Sequence, residues 1–99
     1  MPLHFSDRNR TFKHRGLKRL YERDDRSGIG PDLLETVEDI LARLDEADTP
    51  QTLNLPGYRL HALKGGLKGY WSVTVRANWR IVFRFDGTNA LDVELIDYH

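Results

Sequence analysis

The sequence predicts an α+β fold, two N-terminal helices packed on a twisted antiparallel sheet. Three observations predict it. Apolar residues recur at helical spacing through the first half of the chain, they alternate with a period of two after Gly57, and Gly, Asn, Asp and Pro punctuate the segments between. With 99 residues the chain is expected to form a single domain, residues 1–99, long enough to bury about two-thirds of its unfolded surface.

Residues 12–23, "FKHRGLKRLYER", place Phe12, Leu17, Leu20 and Tyr21 near helical spacing, with Gly16 as a weak point. "DDRSGIGPD" reads as a connector. Pro31 suits a first helical position, and Asp32 and Glu35 complement the positive helix end. Leu33, Leu34, Val37, Ile40, Leu41 and Leu44 then form one apolar stripe with acids opposite, which predicts a helix over 32–47. "DTPQTLNLPG" is a loop. In the second half, Leu60 opposes Arg59 and His61, and Trp71, Val73 and Val75 oppose Tyr70, Ser72, Thr74 and Arg76. Ala77-Asn78 reads as a tight turn in which Asn supplies the positive φ. Trp79, Ile81, Phe83 and Phe85 oppose Arg80, Val82 and Arg84. After the "DGTN" turn, Leu91, Val93 and Leu95 oppose Asp92, Glu94, Ile96 and Tyr98. The expected result is a meander whose apolar face covers the helices.

The charge balance is zero, yet the charges are segregated. Residues 8–26 carry Arg8, Arg10, Lys13, Arg15, Lys18, Arg19, Arg23 and Arg26 against three acids, whereas residues 32–48 carry seven acids against Arg43 alone. Residues 49–85 hold Arg59, Lys64, Lys68, Arg76, Arg80 and Arg84 and no Asp or Glu. A field of that kind suits a polyanion, unless the acidic helix of the same chain neutralises it. The chain has no Cys, so disulfides and thiolate metal sites are excluded. His4, His14, His61 and His99 lack metal-ligand spacing, so no metal or cofactor is expected. No apolar run is long enough for a bilayer, and "MPLHFSDRNR" does not read as a signal peptide, which points to a cytoplasmic protein. There is no phosphate-cradling GxxxxGK[ST] loop and no serine elbow. "LKGGLKGYW", with Lys64 and Lys68, reads either as a loop that wraps a phosphate or as a flexible hairpin.

By parity, the sheet face away from the helices presents Arg59, His61, Arg76, Arg80, Arg84 and Tyr98. That set fits metal-free RNA cleavage, in which a base takes the 2′-hydroxyl proton, a cation meets the phosphorane charge and an acid protonates the 5′-oxygen. His61, Tyr98 or His99 can move protons, Arg80 and Lys64 can hold the phosphate, and Asp97 suits an orienting role. The same residues also suit a basic surface whose Arg80 and Arg84 pair with Asp92 and Glu94 across strands. Composition alone favours a basic, RNA-facing domain and stops short of catalysis.

"TFKHRGLKRLYERDDRSGI", "LNLPGYRLHALKG", "KGYWSVTVRANWRIVFRF" and the terminal "DYH" resemble the HigB toxins, a branch of the RelE superfamily, from about Arg8 to His99. The resemblance implies a RelE-like, microbial-ribonuclease-like domain that enters the ribosomal A site and cuts mRNA by 2′-hydroxyl attack. It also implies neutralisation by HigA, a helix-turn-helix antitoxin. Carried over by position, His61, Asp97, Tyr98 and His99 match the catalytic set, with proton transfer on His61 and His99, Tyr98 stacking on the base or orienting it, and Asp97 positioning. Lys64 and Arg80 match the phosphate-holding positions, with Arg76, Arg84 and Lys68 as further RNA contacts. Lys13, Arg15, Lys18 and Arg19 of the basic helix become candidates for ribosomal RNA contact, and the acidic helix faces away. Two departures stand out: residues 1–7 precede the usual start and read as an extension, and Leu67 replaces a residue that is charged in many relatives. The competing readings are a non-catalytic RNA- or ribosome-binding module of the same fold and a structural partner of a helix-turn-helix repressor.

Overall fold

A mixed sheet of five strands carries both helices on one face. The computed structural model describes residues 10–98. In chain order the elements are β1 (Arg10–Phe12), α1 (Arg15–Arg23), α2 (Pro31–Glu46), β2 (His61–Ala62), β3 (Tyr70–Arg76), β4 (Trp79–Asp86) and β5 (Asn89–Asp97). Two short 3-10 turns, Pro50–Leu53 and Gly65–Leu67, interrupt the loops before and after β2. The strands lie in the order β1-β5-β4-β3-β2. All neighbours run antiparallel except β1, which lies parallel to β5.

The α+β class and the helix-on-sheet layering match the sequence reading, and β1 is the addition to it. Phe12 belongs to this strand, and α1 starts three residues later than its apolar spacing suggests. The cause is local: His14 caps α1, its Nδ1 accepting the Leu17 N–H at 3.2 Å, which satisfies one of the donors a helix start leaves open. Gly16 proves to be a packing requirement. A Cβ there would lie 2.4 Å from the carbonyl oxygen of Gly28, so helix and connector meet backbone to backbone. At the other end of α1, Asp24 takes a left-handed conformation (φ 55°) and its N–H returns to the last turn.

Helix α2 starts on Pro31 and buries Leu33, Val37, Ile40, Leu41 and Leu44. These pack with Leu17 and Leu20 of α1 against Val73, Ile81, Phe83, Val93 and Leu95 of the sheet. The C-terminal carbonyls of α2 are capped from β1. Arg10 is buried, and its Nη2 donates to the carbonyls of Asp45 (2.9 Å) and Ala47 (3.0 Å), a cation at the negative helix end. Arg10 therefore leaves the basic surface on which its sequence position had put it. Asp45 likewise is no solvated acid: it is buried and accepts the Tyr21 hydroxyl at 2.6 Å.

Two bulges and one turn alter the expected alternation. Between Thr74↔Arg80 and Arg76↔Trp79, β3 advances two residues while β4 advances one. Arg76 consequently shares the register of Trp79, which packs against the core, and leaves the face of Arg80. In β5 the register slips at Asp92 (φ 54°), so Leu91 pairs with Arg84, on the opposite parity from Val93. In the turn itself it is Ala77 (φ 51°), not Asn78, that adopts the left-handed conformation.

Candidate active site on the helix-free sheet face

The site grows from two adjacent rows of register. One row runs His61↔Ser72↔Val82↔Glu94 across β2 to β5, and the next runs Thr74↔Arg80↔Ile96. With strands about 4.8 Å apart and about 3.4 Å per residue, the Cα atoms of His61 and Arg80 lie about 12 Å apart.

His61 is exposed on the edge strand, and its Nδ1 lies 3.0 Å from the carbonyl oxygen of Arg59. A carbonyl oxygen only accepts, so in the neutral ring the proton sits on Nδ1 and Nε2 carries the free lone pair. That is the state required of a proton acceptor. The Arg80 guanidinium folds onto the β3–β4 turn, where Nη1 donates to the carbonyls of Ala77 (2.6 Å) and Trp79 (3.1 Å). The same turn holds the chain end: the Tyr98 N–H donates to the Asn78 carbonyl at 2.7 Å, and Asp97 pairs with Trp79. Arg80 and Tyr98 are thus anchored to neighbouring carbonyls of one hairpin. Tyr98 is 51% exposed, a large ring left in water. His99, the other expected proton-transfer group, lies outside the described residues, as do residues 1–7.

The remaining expected contacts divide. Lys64 and Lys68 are exposed at either end of the Gly65–Leu67 turn, beside β2 and β3. Arg84 stays on the helix-free face, but its Nε donates to Asp92 Oδ2 at 2.7 Å and the Tyr70 hydroxyl lies 3.4 Å from the same oxygen. Arg84 holds the Asp92 carboxyl below the usual carboxylate range, and Asp92 in return raises the Arg84 guanidinium. This is the cross-strand pairing that the sequence had left open as an alternative. Arg76 is exposed at the hairpin end but out of register with Arg80. Lys13 is not on α1 at all. It follows β1, and its Nζ sits 5.5 Å from the centroid of the Tyr70 ring, on the sheet. Arg15, Lys18 and Arg19 do project from α1 and, with Glu22 and Arg23, line a shallow depression along it. Arg19 also pairs with Asp25 at 3.9 Å. Among the described residues no group of three or more His, Cys, Asp or Glu is placed to hold a metal ion, and no helix is long and apolar enough to cross a membrane.

Sequence reasoning missed what supports His61. The Arg59 carbonyl, and the Tyr58 hydroxyl that donates to Asp39 on α2, have no sequence signature because backbone dihedrals and long-range contacts set them.

Two helices cover one face of a small sheet, and a tethered Arg and an exposed imidazole lie on the other, with an exposed Tyr at the chain end. The YoeB toxin from Staphylococcus aureus, solved as a dimer and in a heterotetrameric complex with YefM, shares the fold, with a TM-score of 0.59 and 18% sequence identity over 95% of this chain and 99% of that one. The family model for the RelE-like toxin of the type II toxin–antitoxin system HigB matches residues 10–99, and the chain belongs to that family. It is 44% identical over 90 residues to Endoribonuclease HigB from Proteus vulgaris, spanning 91% of this chain and 98% of that protein. It is 34% identical over 89 residues to Toxin HigB-1 from Vibrio cholerae, spanning 85% and 90%.

Proposed function

We propose that the chain is a ribosome-dependent mRNA endoribonuclease, the toxin of a type II toxin–antitoxin pair, that acts in the cytoplasm and cleaves in the ribosomal A site by metal-free 2′-hydroxyl attack. The observation that supports the reading is that His61 and Arg80 occupy adjacent register rows of the helix-free face, with Tyr98 exposed beside the β3–β4 turn and His61 Nδ1 already committed to a carbonyl. The endoribonuclease class is supported by the 44% identity to the Proteus protein of that name.

In this reading His61 Nε2 takes the 2′-hydroxyl proton. Arg80, and Lys64 from the loop after β2, neutralise the charge that builds on the phosphorane, where a planar guanidinium offers two parallel donors and an ammonium a point charge. His99 protonates the departing 5′-oxygen, Tyr98 stacks on or orients the adjacent base, and Asp97 positions the tail. Lys68 extends the positive track, whereas Arg84 is held by Asp92 and Arg76 is out of register with Arg80. Arg15, Lys18 and Arg19 on α1 approach ribosomal RNA backbone. The neutralising partner is a HigA-like helix-turn-helix antitoxin; the solved YoeB–YefM complex supports a partner of the antitoxin class.

The test is induction in bacteria without the antitoxin, comparing the full chain with one truncated after Ile96, and mapping transcript ends with and without translation. Growth arrest with translation-dependent cuts, both lost on truncation, is the expected result. Arrest without cuts would make the chain a ribosome blocker and overturn the assigned chemistry.

A further inference from the structure

The segment leading into His61 contains one more residue than the strand beside it can match. His61 pairs with Ser72, and the Thr74 N–H donates to the Tyr58 carbonyl at 2.6 Å. Between those two anchors β3 advances from 72 to 74 while the other segment spans 61 back to 58. The surplus is absorbed at Arg59, whose backbone is left-handed (φ 52°) although it carries a side chain, a conformation that costs about 1–3 kcal/mol and is kept only where the surroundings impose it. What imposes it here is visible. Tyr58, immediately before the kink, sends its hydroxyl to the Asp39 carboxylate on α2. Arg43 donates to the same Asp39 oxygen at 3.3 Å and lies 6.0 Å from the Tyr58 ring centroid. Burial and the Asp39 contact push the Tyr58 hydroxyl up to about 12, so it remains a donor throughout the physiological range. Immediately after the kink, the Arg59 carbonyl meets His61 Nδ1 at 3.0 Å.

We propose that Arg59 and Tyr58 are positioning residues for His61: the left-handed backbone at Arg59, clasped to α2 through Tyr58 and Asp39, presents its carbonyl to Nδ1 and holds the imidazole as the Nδ1–H tautomer, with Nε2 as the proton acceptor. The inference deepens the functional reading above and rests on it for the catalytic consequence, though not for the tautomer. It assigns work to a backbone carbonyl that a carboxylate performs in other histidine sites, where loss of the orienting group leaves the ring in the wrong tautomer. The Arg59 side chain plays no part in this role. Its conformation does.

The experiment separates backbone from side chain. Long-range 1H–15N correlation spectra of the full-length protein, recorded with the imidazole neutral, report which ring nitrogen of His61 bears the proton. Arg59→Gly accepts positive φ without strain and is expected to keep the Nδ1–H signature. Arg59→Val disfavours positive φ and is expected to shift His61 toward Nε2–H or a tautomer mixture. Tyr58→Phe, which keeps the ring but drops the hydroxyl, is expected to give the same shift in weaker form. In a ribosome-dependent cleavage assay, kcat of Arg59→Val is expected to fall about tenfold or more below that of Arg59→Gly, at similar KM, as loss of a correctly protonated base requires. Thermal melts identify any variant that fails to fold, in which case Tyr58→Phe carries the comparison. Unchanged tautomer in both Arg59→Val and Tyr58→Phe would overturn the proposal, as would loss of the Nδ1–H signature in Arg59→Gly. A tautomer shift with undiminished cleavage would uphold the positioning role and overturn His61 as the base.

Discussion

On the helix-covered face of the sheet, Val73, Ile81, Phe83 and Val93 are wholly buried and held by packing against α1 and α2. On the other face the same strands carry Thr74, Arg80 and Arg84 between His61 and Ile96, and there His61, Arg80 and Arg84 are held by hydrogen bonds to turns, kinks and one bulge, over a row in which Ser72 and Val82 are buried. The first face derives its order from area removed from water, which needs only the right parity and volume. The second derives its order from backbone geometry that departs from regular strand at three places: Arg59, Ala77 and Asp92. Stability and chemistry are therefore written on opposite faces of one element, and they should respond to substitution independently.

The largest expected effects cross the two faces. Phe83→Ala should cost about 3–5 kcal/mol of stability, read from denaturant unfolding, because the fully buried ring leaves a cavity. His61→Ala should lower cleavage by about a hundred- to ten-thousand-fold while leaving the melting temperature nearly unmoved, since the ring is exposed. A large loss of stability in His61→Ala would break the division. Arg10→Met tests whether the helix-covered layer depends on one polar device. The substitution keeps the aliphatic stem but removes the cap on α2, and should cost about 1.5–3 kcal/mol, the range for hydrogen bonds to a charged group.

Smaller effects sharpen the comparison through pH and ion pairing. Burial lowers the His14 pKa from its ordinary 6.5, and protonation would also remove the acceptor that caps α1. The unfolded chain binds that proton more readily than the folded one, so stability should be full above about pH 6.5 and should decline as the pH falls through the window below it. His14→Asn, which retains a capping oxygen, should flatten that part of the profile. The Arg84–Asp92 pair works in the same direction at lower pH. The Asp92 pKa is depressed, so its contribution is complete above the ordinary carboxylate range and is lost as the pH drops through the folded value. Both partners are about a third exposed (39% and 31%), so Asp92→Asn should cost less than about 1 kcal/mol at neutral pH. It should also release Arg84 for RNA, detectable as a steeper salt dependence of RNA binding.

Much of the fold can be read directly from the residue pattern. The stripe from Leu33 to Leu44 places α2 within a residue or two of its observed ends, and alternation through "YWSVTVR" and "WRIVFRF" selects Val73, Ile81 and Phe83 for the core. The three-residue β1 is too short to carry a period, and its parallel pairing depends on a partner some eighty positions away. The candidate site could be proposed residue by residue from the sequence, but its arrangement could not. His61 and Arg80 share a face as parity requires, whereas Arg76 is displaced by a bulge, Arg84 is drawn to Asp92, and Lys13 moves from helix to sheet.

Residue spacing alone specifies which positions are apolar, and hence two helices, a meander and an acid-free stretch that carries the candidate chemistry. It does so because burial responds to periodicity alone, whatever the partner. Folding is what sets which carbonyl meets His61 Nδ1, which carbonyls tether Arg80 and Tyr98, and that Arg10 closes a helix instead of facing a polyanion. Those are hydrogen bonds with narrow angular demands, made to backbone groups whose direction is set by left-handed residues and register slips, and no residue alphabet encodes a direction until the chain has folded around it.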